Sequence, residues 1–243
     1  MQIAGESIEY YVHGKSPKLL IHSGTHGDEF ESIPLILKFI KENINRLPDF
    51  VLVPMVSPSA LGLKTRKNER GIDVNRSFND NATDSETIAN MKIASLYGYE
   101  TCVSFHEDPG VNYFYIYDSG IIGENALATL RKEISNMGIA LLSGIDDPKD
   151  PALGFKFEKG YRRFPNKHSD INDGTFWGWA MEKGKIKNMI IPEIPGATSK
   201  SNKEKIVSLI FENILITLSL VLEGKRSRIQ EPRPICKAPR VVY

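Results

Sequence analysis

The sequence predicts an α/β layered domain, and three observations carry that reading. Short, almost wholly apolar runs of strand length recur along the chain. Between them lie stretches with apolar residues three and four apart, the spacing of a helix with one buried face. The composition suits a globular protein with one large core: 243 residues, 41% hydrophobic and 25% charged. Strands alternating with helices fit a sheet covered by helices.

Taken in chain order, KLLIHSG (Lys18 to Gly24) reads as a buried strand running into a loop. PLILKFIKENINRL follows as a helix, with Leu35, Ile36, Phe39, Ile40 and Ile44 on one face. FVLVPMV (Phe50 to Val56) is a second strand, SETIANMKIASLYG a helix, and TCVSF (Thr101 to Phe105) a third strand. NYFYIYD (Asn112 to Asp118) is aromatic and β-prone. ENALATLRKEISNMG is a helix closed by Gly138, and NMIIPEI (Asn188 to Ile194) a late strand. Ser201 and Glu204 match a capping box opening the last helix. The stretch from Asp146 to Gly174 has no period and reads as a long functional loop. No repeat or linker divides the chain. Residues 1–224 are therefore expected to form one domain, and the basic, Pro-rich 225–243 an extended arm.

Several function classes are excluded. Lys+Arg 31 against Asp+Glu 30 gives a charge of +1, so no bulk attraction to nucleic acid or to an anionic membrane is expected. The run IVSLIFENILITLSLVL from Ile206 carries Glu212 and Asn213 and is too short to span a bilayer. Two cysteines, Cys102 and Cys236, form no framework, and the N-terminus lacks the pattern of a signal peptide, so a cytoplasmic location is expected. Gly14-Lys15-Ser16 imitates the end of a P-loop, but position nine is Glu9 rather than glycine. G-x-G-x-x-G and G-x-S-x-G are both missing. Cys102 sits inside a strand and reads as a small buried hydrophobe.

Two constellations remain. The loop after the first strand reads His22-Ser-Gly-Thr-His26-Gly-Asp-Glu29, and a turn of helical pitch projects His26 and Glu29 from one face. His106 follows another strand, and ligands of open α/β sheets gather beyond the carboxyl ends of strands. Two histidines and one glutamate form a ligand set for catalytic zinc, which leaves a fourth position for water. The second constellation is Thr65 to Phe78, where Arg66, Arg70 and Arg76 lie near Asn75. Arginine's planar fork suits a carboxylate, although the same residues are also what a solvated loop with Asp73 paired internally would contain.

The order H-x-x-E, then R-x-N-x-x-G-x-D-x-N-R, then a strand ending in His, then a late strand carrying Glu, resembles the zinc carboxypeptidase superfamily. That superfamily includes the succinylglutamate desuccinylase and aspartoacylase branch, and the resemblance covers roughly Lys18 to Gly196. It implies a mixed, mostly parallel central sheet flanked by helices on both faces. It implies His26, Glu29 and His106 as zinc ligands and Glu193 as the catalytic base and acid. Arg66 is implied as the oxyanion-stabilising residue, with Arg70 competing for a place at the substrate. Asn75 and Arg76 are implied as the clamp on a substrate's carboxylate, and Phe176 and Trp177 as shapers of its side-chain pocket. Glu193 stands out independently, as a lone carboxylate in an apolar strand.

The activity so implied is hydrolysis of the C-terminal amide bond of a peptide, as in metallocarboxypeptidases or murein peptide amidases. The alternatives are deacylation of an N-acyl amino acid and binding of peptide ends without hydrolysis. Relatives on the deacylase branch carry a further β-rich domain, for which the residues after Glu193 leave little room. One departure is plain: the tyrosine that many carboxypeptidases carry before the Gly174-Thr-Phe176-Trp177 region has no match close by, leaving Tyr161 and His168 as stand-ins. Glu107 and Asp108 read either as supports for the metal ligands or as loop acids.

Overall fold

The computed structural model describes residues 2–4, 8–120, 124–147, 149, 154–164 and 174–215. Its strands are Gln2–Ala4 (β1), Ile8–His13 (β2), Leu19–His22 (β3), Phe50–Val53 (β4), Tyr99–Ser104 (β5), His106–Asp108 (β6), Tyr113–Asp118 (β7), Ala140–Leu141 (β8), Gly144–Ile145 (β9), Lys156–Phe157 (β10), Tyr161–Arg163 (β11) and Ile186–Pro195 (β12). The helices are Ile33–Asn43 (α1), Pro58–Leu63 (α2), Ser85–Ala94 (α3), Glu124–Asn136 (α4), Phe176–Glu182 (α5) and Lys200–Ile210 (α6).

The main sheet has the order β1-β2-β4-β3-β5-β12-β7-β11. Its centre, β4-β3-β5-β12, is parallel, while β2 and β7 run antiparallel on either side. The sheet is thus mixed and mostly parallel at its core, as expected. Successive residues of a strand face opposite sides, and the apolar residues divide accordingly. Leu19, Ile21, Val103 and Ile190 pack with α1, α4 and α6 on one side. Leu20, Val51, Cys102 and Met189 pack with α3 and α5 on the other. Helices therefore cover both faces. By the same alternation His22, Ser104, Ile191 and Glu193 turn toward the α5 side, where all four line one cavity.

Each strand and helix expected from apolar spacing is present, with Gly138 at a positive φ of 80° just after α4. The last helix begins earlier than its capping box suggested. Ser199 is the N-cap, its hydroxyl accepting from the Asn202 N–H at 3.2 Å, while Glu204 instead pairs with Lys38 of α1 at 2.6 Å. The stretch from Asp146 to Gly174 is not wholly irregular: β10 closes a hairpin with β9, and β11 joins the main sheet beside β7. β2, α2 and α5 were not anticipated, because each is too short or too mixed in polarity to show a period. Among the described residues no helix is long and apolar enough to cross a membrane. The expected arm, 225–243, lies outside the described residues.

Candidate active site

The loop after β3, the strand β6 just beyond β5 and the last residues of β12 converge. His26 and Glu29 share a single turn closed by the Glu29 N–H on the His26 carbonyl at 3.3 Å. Gly27 between them donates to the Thr65 carbonyl at 2.9 Å, and a side chain there would meet the Ala60 carbonyl oxygen at 1.8 Å. Only glycine fits so close to a neighbouring backbone. Beyond β5 the chain kinks at Phe105, whose N–H bonds the His22 carbonyl at 2.8 Å. β6 then resumes pairing with β12 so that His106 stands opposite Glu193, while Tyr115 of β7 stands opposite Glu193 on its other side. Directly opposed residues on neighbouring strands carry side chains roughly 5 Å apart.

His26, Glu29 and His106 are all buried, and one ligand atom from each lies within 4.8 Å of the others. Nδ1 of His26 meets one Glu29 carboxylate oxygen, and Nδ1 of His106 lies 2.9 Å from the other. Two imidazole nitrogens and a carboxylate oxygen gathered this closely fit a zinc ion. The far side of His26 is prepared as well, since its Nε2 lies 3.3 Å from Asp73 Oδ1. A carboxylate behind a ligating histidine fixes the ring and raises its basicity. Burial alone would lower the pKa of His26, but Glu29 and Asp73 overcome it and hold the ring up at about 9. Asp73 is held down at about 2: burial opposes this, and His26 and then Arg66 and Arg76 outweigh it.

Asp73 also organises the second constellation. It caps the short helical turn Val74–Arg76, accepting from the Asn75 N–H at 2.9 Å, and it accepts from Arg66 Nε at 2.9 Å. One carboxylate therefore links a histidine, the oxyanion candidate and the carboxylate-clamp candidates. Asn75 Oδ1 accepts from the Phe176 N–H at the start of α5, so its amide NH2 is the group left to act on a ligand. Gly174 lets α5 approach this turn: it has φ +73°, and a Cβ there would lie 2.1 Å from the Arg76 carbonyl oxygen.

Arg66, Asn75, Arg76, Phe176, Trp177 and Glu193 line one cavity of about 280 Å³ with the three ligand candidates. Arg70 does not join them. Its guanidinium bonds Asp84, the N-cap of α3, and Ser85, which places it on another face of the loop. Tyr161 is also apart, its hydroxyl donating to Asp118 at 3.1 Å, and His168 lies outside the described residues. Phe176 and Trp177 serve both cavity and core, Phe176 against His22 and Trp177 stacked on Phe164 at 3.9 Å.

Burial, then Glu29 and Asp108, push the Glu193 carboxyl well above its usual range, countered in part by Arg66. Perturbation of this kind, inside a cavity, marks candidate acid–base groups. Glu107 divides its roles: its N–H approaches Glu29 Oε2 at 3.3 Å, while its carboxylate grips Lys203 at 2.6 Å and the Ser32 N–H at 2.8 Å. Asp108 accepts from the Tyr115 hydroxyl at 2.8 Å. The sequence reading missed the parts played by His22, Tyr115 and Lys203, and saw Asp73 as a partner of its own loop but not of His26. Asp73 did leave a signal there, as an acid among the arginines of its loop that reads as paired internally.

Residues 15–104 match the family described as the succinylglutamate desuccinylase/aspartoacylase catalytic domain. No curated protein matches the chain. Among solved structures, a candidate metallopeptidase from Shewanella denitrificans is 20% identical with a TM-score of 0.69, the match covering 87% of this chain and 81% of that one. The murein-tripeptide amidase of Escherichia coli is 19% identical with a TM-score of 0.54, covering 87% and 90%. A metallo-carboxypeptidase from Pseudomonas aeruginosa is 17% identical with a TM-score of 0.60, covering 89% and 61%. The fold is that of these solved metallopeptidase structures, and the family match extends over residues 15–104.

Proposed function

We propose that this chain, with its zinc carboxypeptidase-like fold, is a zinc-dependent hydrolase that cleaves the C-terminal amide bond of a short peptide carrying a free carboxylate. The observation that supports this best is the convergence of His26, Glu29 and His106 in the same cavity as Glu193 and the Asn75–Arg76 turn. His26, Glu29 and His106 would hold the zinc ion, which would supply Lewis acidity toward a bound water and the scissile carbonyl. Asn75 and Arg76 hold the terminal carboxylate, which fixes the bond's position and limits cleavage to the chain end. Glu193 accepts a proton from the attacking water and returns it to the leaving nitrogen. Arg66, steadied by Asp73, faces the charge that develops on the carbonyl oxygen.

The family match over residues 15–104 favours a second reading, deacylation of an N-acyl amino acid, which uses the same groups. Turnover of short peptides compared with N-acyl amino acids decides between them. In either case amidating the substrate's carboxylate should lower kcat/KM by roughly a hundredfold, since the clamp then loses a charge-assisted pair. An amidated substrate turned over equally well would remove the clamp from the mechanism.

Asp73→Asn keeps the size of the side chain and removes the charge behind His26. Zinc affinity, measured by competition with a chelator, should fall by about 10–100-fold. An unchanged affinity would mean that Asp73 serves only the loop.

A further inference from the structure

The cavity has two chemically different ends, and the second is unexplained by the clamp. From the Asn75–Phe176 contact the wall runs through stacked rings, Trp177 on Phe164 at 3.9 Å and Phe164 on Tyr117 at 4.9 Å. It ends at Asp146, which accepts from the Tyr117 hydroxyl. Asp108 lies along the same end, bonded to Tyr115, and Tyr113 and Phe155 complete a mostly aromatic border.

Among the described residues the lining is mostly acidic where it is charged. Six carboxylates line the cavity, those of Glu29, Glu107, Asp108, Asp146, Asp147 and Glu193, against the guanidiniums of Arg66 and Arg76. Lys203 pairs with Glu107, while Arg66 is held by Asp73 rather than by a lining carboxylate. Among the described residues Asp108, Asp146 and Glu193 form no salt bridge. A separate feature also points to a ligand: His22, only 1% exposed, lines the same cavity, and its Nε2 has no hydrogen-bond partner. Buried polar atoms left unpaired are costly unless something binds them.

Carboxylates set among aromatic faces form a site for a cationic nitrogen, attracted both by the full charges and by the ring quadrupoles. We propose that the substrate carries an ammonium or guanidinium group as well as its carboxylate, and that Asp108 and Asp146, bordered by Tyr113, Tyr115 and Tyr117, receive it. This inference rests on the hydrolase reading and narrows it. Polyanionic N-acyl amino acids such as N-succinylglutamate would place carboxylates against the acidic end and are disfavoured. The volume of about 280 Å³ suits a ligand of one or two residues.

The test uses binding to the zinc-loaded Glu193→Gln chain, so that ligands survive the measurement. Two matched pairs differ in one positive charge: acetyl-Gly-Arg against acetyl-Gly-citrulline, and Gly-Ala-Ala against acetyl-Gly-Ala-Ala. In at least one pair the cationic member should bind roughly tenfold tighter by calorimetry. Asp146→Asn in the same background keeps the oxygen that accepts from Gly154 and Phe155, and should shrink that preference to less than about threefold without weakening the uncharged member. Equal binding within both pairs, or tightest binding of N-succinylglutamate, would overturn the proposal. Wild-type protein that hydrolyses none of the peptides while the preference persists would sink the hydrolase reading and leave the cation site standing.

Discussion

Glu193→Gln should lower kcat on the order of a thousandfold while leaving zinc content and KM nearly unchanged. A positioned carboxylate that moves a proton in the transition state contributes about 10²–10⁴ in rate, and an amide cannot accept that proton. The substitution disturbs little else. Gln has the same size, and β12 is held by backbone pairing to β6 and β7 on either side of position 193. Glu193 is not among the three ligand candidates, so metal retention separates loss of chemistry from loss of the site. A variant retaining more than about a tenth of wild-type kcat would transfer the acid–base role elsewhere.

Lys203→Met should be the most destabilising single change among the charged residues around the cavity, by about 3–5 kcal/mol. Lys203 is 1% exposed and lies 2.6 Å from a Glu107 carboxylate that is itself buried. Removing the cation leaves that carboxylate uncompensated away from water, which costs far more than the intact pair contributes. For a chain of this length the loss corresponds to a Tm lower by about 6–20 °C. Glu107→Gln added to Lys203→Met should restore part of it, because the stranded charge is gone while an oxygen remains for the Ser32 N–H. The effect should reach the metal site too, since Glu107 directly follows His106 and its N–H approaches Glu29. Thermal unfolding of the single and double variants checks this, and additive losses in the double would contradict the coupling.

The sequence revealed most where a residue's environment is decided locally. β3 and β4 are short and almost wholly apolar, and the apolar stretches within β5 and β12 suit the same buried parallel sheet. The motif order placed His26, Glu29, Arg66, Asn75, Arg76, His106 and Glu193, and all seven line one cavity. Contacts decided by the tertiary fold were not legible. Arg70 sits as close to Asn75 in sequence as its neighbours do, yet the path of the loop brings it to Asp84. Lys203 lies in SNKEK, a stretch that looks fully solvated, and is buried only because α6 crosses the start of α1. The acidic end of the cavity joins Asp108 to Asp146 across 38 positions, through the placement of β7 beside β12. No spacing rule within either segment encodes that meeting.

The central claim is that His26, Glu29 and His106 hold a catalytic metal, and elemental analysis of the purified protein tests it most directly. About one zinc per chain is expected, and it should be lost in His106→Ala with the fold retained by circular dichroism. No stoichiometric zinc, even after incubation with the metal, would contradict the account and leave this cavity a binding site on a hydrolase fold.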